Sequence, residues 1–167
     1  MKEIIIISKG EKHICLVDNE DYDFVKDYSW NLTNKGYPQA YVKGSYVKET
    51  KAKEFIYMHR LILGILDNPK IKTDHKNHNC LDNRKSNIRK CTISENNKNK
   101  TARGRSKYLG VSIMKRKNRI NETIVAQIMI NDKNTFLGYF KTEVEGALAY
   151  DNAARIHHGE YANLNFK

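Results

Sequence analysis

Ile4–Ser8 and His13–Val17 are rich in β-branched side chains and flank Lys9-Gly10-Glu11, a pattern that predicts a β-hairpin. The stretch from Asp18 to Tyr28 opens with polar residues and sets Phe24 and Tyr28 four apart, which predicts a short helix. Trp30–Thr33, Gln39–Val42 and Glu54–Tyr57 predict three more strands, separated by Gly36-Tyr37-Pro38 and by residues 44–53. His59–Leu63 reads as a short apolar helix ending at Gly64, and Asn68-Pro69 breaks the chain after it.

The pattern changes between residues 70 and 100. Apolar side chains become scarce, and Asn, Lys, Asp and His take their place. This segment cannot supply a core, and its composition by itself describes a polar loop. Two local signals nevertheless predict order. Thr92-Ile93-Ser94-Glu95 has the form of a capping box, so a helix should start after Thr92. Asp82 suits the N-cap of a short helix over Asn83–Ile88.

Residues 101–107 read as a basic linker. Three strands should follow, Tyr108–Met114, Thr123–Ile130 and Thr135–Tyr139, the last two joined by Asn131-Asp132-Lys133-Asn134. A second capping box, Thr142-Glu143-Val144-Glu145, opens a helix to about His157, and Gly159 stands where a C-terminal cap belongs. Its predicted packing stripe is Val144, Ala147, Leu148, Asp151 and Ala154.

Charge sharpens this division. The 167 residues carry a net charge of +11. Residues 1–58 are neutral, residues 59–119 carry +13 and residues 120–167 carry −2. The excess is confined to the middle third, which points to a polyanionic partner and to binding that weakens steeply with salt. The longest apolar run near the start, Ile4–Ile7, is far shorter than a signal-peptide core or a membrane span. Cys15, Cys80 and Cys91 are odd in number and form no Cys-x-x-Cys pair, so a reducing cytoplasm is expected and a disulfide framework is not. No small-molecule substrate and no membrane partner is expected.

Phosphodiester hydrolysis needs a base for water, a cation for the phosphate charge, and a frame that holds both. His75 can accept a proton near neutral pH. Asp74 is adjacent, although on a regular strand its side chain would point to the opposite side. Asn96 falls within the first turns of the helix expected after Thr92, a rigid position for a ligand. A rival reading takes His75, His78, Cys80 and Cys91 as a zinc site, with suitable ligand types but no familiar spacing.

The runs Met58-His59-Arg60-Leu61-Ile62, Asp74-His75-Lys76-Asn77, Leu81-Asp82-Asn83-Arg84-Lys85-Ser86-Asn87-Ile88-Arg89 and Thr92-Ile93-Ser94-Glu95-Asn96 resemble the HNH homing endonucleases of phage genomes. The resemblance covers roughly residues 55–100 and implies a ββα-metal site. By it, His75 is the general base, Asp74 and Asn96 are ligands of a single Mg2+ or Mn2+ ion, and Asn87 pins the loop or orients the base. Asn96 stands where many relatives have the last His, which makes this an H-N-N variant and suits magnesium or manganese better than zinc. His59 and Arg60 match a His-Arg pair that binds phosphate or braces the fold. His78 stands where Gly is usual and Asp82 where Asn is usual, so His78 tests whether the loop requires a positive φ.

A second set resembles the APETALA2 (ethylene-response-factor) DNA-binding domain: Ser106–Ser112, Val125–Ile128, Phe136–Thr142, Ala147–Ala154 and Ala162–Phe166. It implies a three-stranded antiparallel sheet on one helix, with the sheet face entering the major groove. The plant members read bases through Arg and Trp; here Leu109, Ser112 and Met129 stand at such places, so their GC-rich specificity does not carry over.

The fold class expected is therefore α+β. A β-rich bracing region (1–58) leads into an HNH nuclease core (59–100), the basic linker (101–107) and an APETALA2-like domain (108–167). The function expected is site-selective, metal-dependent cleavage of double-stranded DNA of the homing type, in the host cytoplasm. Phosphate contacts are expected from His59, Arg60, Arg84, Arg89, Lys90, Arg103, Arg105, Lys107, Lys115, Arg116, Lys117 and Arg119, with sequence preference from Ser112, Met114, Arg116, Gln127 and Thr135. Lys43, Lys48, Lys51 and Lys53 could add contacts. The alternative is a non-catalytic DNA-binding regulator on a degenerate HNH scaffold. RNA is disfavoured, because a major-groove sheet does not suit an A-form duplex.

Overall fold

Strands β1 (Lys2–Ser8) and β2 (Glu11–Val17) pair antiparallel through a two-residue turn in which Lys9 (φ 53°) and Gly10 (φ 83°) are both left-handed. The computed structural model describes residues 1–42, 55–102, 104–115 and 122–166, which fall into two compact units, Met1–Thr92 and Ile93–Lys167. The architecture is mixed α/β with most of the regular structure in sheets.

In the first unit, alternation along the hairpin turns Ile4, Ile6, Cys15 and Val17 inward and leaves Ile5, Ile7 and Ile14 in solvent. Helix α1 (Asn19–Val25) adds Val25 to the core, and Trp30 locks onto it by donating from Nε1 to the Val25 carbonyl at 2.8 Å. Strands β3 (Trp30–Leu32), β4 (Pro38–Tyr41) and β5 (Phe55–Tyr57) form a second antiparallel sheet in that order. Helix α2 (Met58–Ile62) follows β5 directly and buries Met58, His59, Leu61 and Ile62. Each fully buried aliphatic side chain here contributes about 1.5–3 kcal/mol. Strands β6 (Lys72–His75) and β7 (Ile88–Cys91) then form a hairpin whose register runs from Lys72 opposite Cys91 to His75 opposite Ile88, and Ile88 enters the same core.

The loop between β6 and β7 departs from expectation. No helix forms over Asn83–Ile88. The Asp82 carboxylate does not cap; it receives Nε and Nη2 of Arg84 at 2.7 Å each and Nδ2 of Asn77 at 2.9 Å. The backbone on either side pairs with β2: Leu16 donates to the Leu81 carbonyl and Asn83 to the Leu16 carbonyl, both at 2.8 Å. Only a single turn remains, with Asn87 and Ile88 both donating to the Arg84 carbonyl. His78 adopts φ +62°, the left-handed conformation that glycine takes most easily.

In the second unit, helix α3 (Ile93–Lys98) starts where the Thr92 signal placed it. Strands β8 (Val111–Met114), β9 (Thr123–Ile130) and β10 (Lys133–Phe140) form an antiparallel sheet with β9 in the centre. The β9–β10 turn is tighter than expected: only Asn131 and Asp132, both at positive φ, are unpaired. Tyr108–Gly110 is a turn rather than the start of β8; Gly110 lies at φ +71° with Tyr150 packed where a Cβ would be. Helix α4 (Glu143–His158) packs on the sheet, and both halves of its capping box are made.

The packing stripe of α4 differs from the expected one. Val144 and Leu148 are exposed, while Gly146, Ala147, Tyr150, Asp151, Ala154 and His158 are buried. Close approach explains the choice: a Cβ at Gly146 would sit 3.4 Å from Val111 and 3.7 Å from Ala126, so small residues face the sheet. The buried Asp151 accepts from the Asn165 and Phe166 amides, and Asn165 bonds both backbone groups of Leu109, which anchors the last residues. Among the described residues no helix is long and apolar enough to cross a membrane.

Candidate active site

The β6–β7 hairpin positions the groups singled out from the sequence. Asp74 and His75 end β6, and they are 5% and 6% exposed. Asp74 lies opposite Arg89, which donates from Nε and Nη2 to Oδ2 at 2.9 and 2.7 Å.

The His75 ring packs edge-on against His59 at 5.3 Å between centroids, and Tyr37 lies against both imidazoles at 5.4 and 5.7 Å. Tyr57 also lies against His59, at 5.6 Å. Thus β3–β4, β5, α2 and β6 converge on one histidine pair. Burial holds the His75 pKa below the ordinary imidazole value, opposed by Asn83, Asp74 and Asp82. Burial, then His75, then Arg60 push His59 down to about 3. Both rings are therefore uncharged at neutral pH.

Asn83 decides which nitrogen of His75 carries the proton. It is fully buried, and its Nδ2 donates to the Cys80 carbonyl and to Cys15 Sγ, both at 3.1 Å. A carbonyl can only accept, so this contact fixes the amide orientation. Oδ1 then faces His75 Nε2 at 3.4 Å, and Nε2 must be the protonated nitrogen. The ring proton then sits on Nε2 and not on Nδ1.

Asn87 ties the loop shut. Its Oδ1 accepts from the Asn77 amide at 3.0 Å and its Nδ2 donates to the Asp82 carbonyl at 2.7 Å. The first residues of the chain brace the same loop from outside: Asp18 accepts from the Lys85 amide, and Lys85 Nζ reaches Glu20 and Asp21 at 2.6 and 2.9 Å.

Several groups expected to meet phosphate turn inward instead. Arg60 donates to the Ile65, Asn68 and Ile71 carbonyls and splints the turn after α2. Arg84 is held by Asp82 and Arg89 by Asp74. His59 is 6% exposed, and its Nδ1 is buried with no hydrogen-bond partner among the described residues. Lys90, Arg105, Lys107 and Lys115 are exposed, with Arg105 paired to Glu122 at 2.7 Å and Lys107 over the Tyr108 ring. Arg103, Arg116, Lys117 and Arg119 lie outside the described residues, as do Lys43, Lys48, Lys51 and Lys53. Ser112, Met114 and Gln127 lie on the open face of the second unit's sheet. Thr135 does not: it pairs with Ile128, which packs on α4.

The expected metal ligands fall in different units, Asp74 in the first and Asn96 on α3 in the second. A carboxylate and an amide oxygen are hard donors, of the kind Mg2+ or Mn2+ takes. The Arg89 guanidinium balances the Asp74 charge. The zinc reading does not form: among the described residues no group of three His, Cys, Asp or Glu side chains could hold a metal ion.

Sequence reasoning assigned no role to Asn83, Tyr37 or Tyr57. Asn83 stood inside the quoted Leu81–Arg89 run, but nothing local marked it as the partner of His75.

The geometry thus brings together a buried, uncharged histidine on a hairpin, an asparagine facing its Nε2, and an Asn-rich loop pinned by Asn87. The chain is 27% identical over 164 residues to an uncharacterized HNH endonuclease of Acanthamoeba polyphaga mimivirus, covering 96% of this chain and 79% of that protein. This relation supports an HNH nuclease family and nuclease activity in general. No family profile matches the chain, and no solved structure matches it.

Proposed function

We propose that this protein is a metal-dependent DNA endonuclease of the HNH homing type, with His75 as general base. The observation that carries the reading is the placement of His75: a buried, neutral imidazole on the β6–β7 hairpin, its Nε2 facing Asn83 Oδ1 inside a loop pinned by Asn87, and in this reading Nδ1 is the nitrogen that takes the proton from water. Asn87 is the positioning residue that keeps the loop, and through it Asn83, in place. Asp74 and Asn96 are the groups to hold a single Mg2+ or Mn2+ ion, which when bound would offset charge on the scissile phosphate. Arg89 orients Asp74 for that task.

In this reading residues 1–58 brace the nuclease core of residues 59–100, residues 101–107 are a basic linker, and residues 108–167 dock DNA as an APETALA2-like domain. Lys90, Arg105, Lys107 and Lys115 contact phosphates, together with Arg103, Arg116, Lys117 and Arg119. Double-stranded DNA is the substrate and the cytoplasm is the place of action. Hydrolysis leaves a 3′-hydroxyl and a 5′-phosphate.

The test is supercoiled plasmid incubated with the protein and Mg2+, with and without chelator, followed by DNA ligase. Metal-dependent nicks that ligase reseals support the reading, since resealing needs those end groups. Nicks that ligase cannot seal refute the hydrolytic chemistry. Plasmid binding without any nicking favours the regulator on a degenerate scaffold.

A further inference from the structure

The sheet of the second unit has one face packed on α4 and one face open. Val111, Ala126 and Phe140 meet Gly146 of α4, which assigns them to the covered face. Strand alternation and register then place Ser112, Gln127, Phe136 and Tyr139 on the open face. Phe136 and Tyr139 are three residues apart, a spacing that on a regular strand sends side chains to opposite faces. The register slips between Phe136 and Gly138, and this β-bulge returns both rings to the same side. They touch, with centroids 5.0 Å apart and planes at 64°, yet they remain 56% and 63% exposed. Two adjacent aromatic rings left in water on a sheet are an exposed apolar patch that calls for an occupant.

The surroundings say what occupant fits. No Asp or Glu lies anywhere on β8, β9 or β10. Lys115 and Lys141 follow the ends of β8 and β10 at the same end of the sheet, near Tyr139, and both are exposed. Beside Phe136 and on the same face, Asn134 donates to Gln127 at 2.9 Å, an amide pair next to the rings. Ring faces, amide edges and cations, with Glu122 at that end of the sheet already paired to Arg105, match a nucleobase on a phosphate backbone. A lipid or a plain apolar peptide would have no use for the amides.

In a duplex the base faces are hidden in the stack and only their edges reach the grooves. We propose that this open face binds unpaired nucleotides of single-stranded DNA, with Phe136 and Tyr139 as the stacking platform. The proposal rests on the reading of residues 108–167 as a DNA-docking module and not on the nuclease chemistry.

The test is fluorescence anisotropy of the full chain with a labelled oligothymidylate of about 15 nucleotides, a length that fills a typical single-strand site, and with a duplex of equal length. Phe136→Ala and Tyr139→Ala should each weaken single-strand binding about five- to a hundred-fold, the range for loss of one base–aromatic stack. Phe136→Tyr and Tyr139→Phe should restore it, and the loss in the alanine variants should be several-fold larger for the single strand than for the duplex. Photocrosslinking of an iododeoxyuridine oligonucleotide should map to the peptide carrying Phe136 and Tyr139. Single-strand affinity indifferent to both alanine variants, with crosslinks elsewhere, overturns the proposal while leaving duplex docking intact. Binding of neither DNA overturns the docking reading as well. Dimerisation lost in Phe136→Ala, with oligonucleotide binding unaltered, gives the face to a second copy and overturns the proposal.

Discussion

Replacing Asn83 with alanine removes three contacts at one buried point: the Cys80 carbonyl and the Cys15 thiol each lose a donor, and His75 Nε2–H loses its acceptor. A buried polar group left unsatisfied costs about 1–3 kcal/mol. The Cys80 carbonyl carries most of this, because the His75 contact is long and thiols bond weakly. A destabilisation near 2 kcal/mol lowers the melting temperature of a unit this size by about 8–16 °C. Catalysis should suffer separately. Without Oδ1 the proton of His75 is free to move to Nδ1, and the base loses its lone pair in that tautomer. General-base catalysis contributes about 100- to 10,000-fold, so a misplaced proton should slow nicking by about ten-fold or more. The assay is plasmid nicking well below the melting temperature, with circular dichroism confirming the folded state. Asn83→Ala that is folded and nicks at the parent rate would refute the tautomer argument.

Other outcomes follow from individual contacts. Cys15 is fully buried and its thiol is pushed up to about 12, chiefly by burial. Iodoacetamide at mildly alkaline pH should therefore label the half-buried Cys80 first, and Cys15 only on unfolding, as read by peptide mass spectrometry. Arg84 holds the Asp82 carboxyl below its usual value. The stability this confers is complete above the unfolded Asp value and drains as pH falls through the lower folded value. Arg84→Ala should lower the melting temperature at neutral pH, and that deficit should close in acid. Gly110→Ala combines a positive φ with a Cβ 2.0 Å from the Tyr150 ring. It should cost the C-terminal unit about 3 kcal/mol, seen as early melting of that unit by hydrogen exchange.

Legibility in the sequence followed the range of the interaction. The β1–β2 hairpin, the starts of α3 and α4, and the C-cap at Gly159 rest on neighbours within a few residues, and each was readable from turn and capping chemistry. The β6–β7 loop was not, because its order comes from Leu16 and Lys85 contacts across more than sixty residues. A capping aspartate looked available at position 82 until Arg84 and Asn77 claimed it. The stripe on α4 was misassigned because hydrophobicity favoured Val144 and Leu148, whereas the sheet's close approach selects for small size. At the candidate site, His75 and Asn87 stood out by residue type. The Tyr37, Tyr57 and His59 frame and the Asn83 contact arise from separate segments meeting in space, which no spacing rule encodes.

The central claim is that His75 supplies the base. Its most direct test is the single-turnover nicking rate of His75→Ala against the parent, with Mg2+ present and plasmid binding measured in parallel. The account predicts a rate at least about 100-fold lower with DNA affinity retained. A variant that binds and nicks as fast as the parent would contradict it.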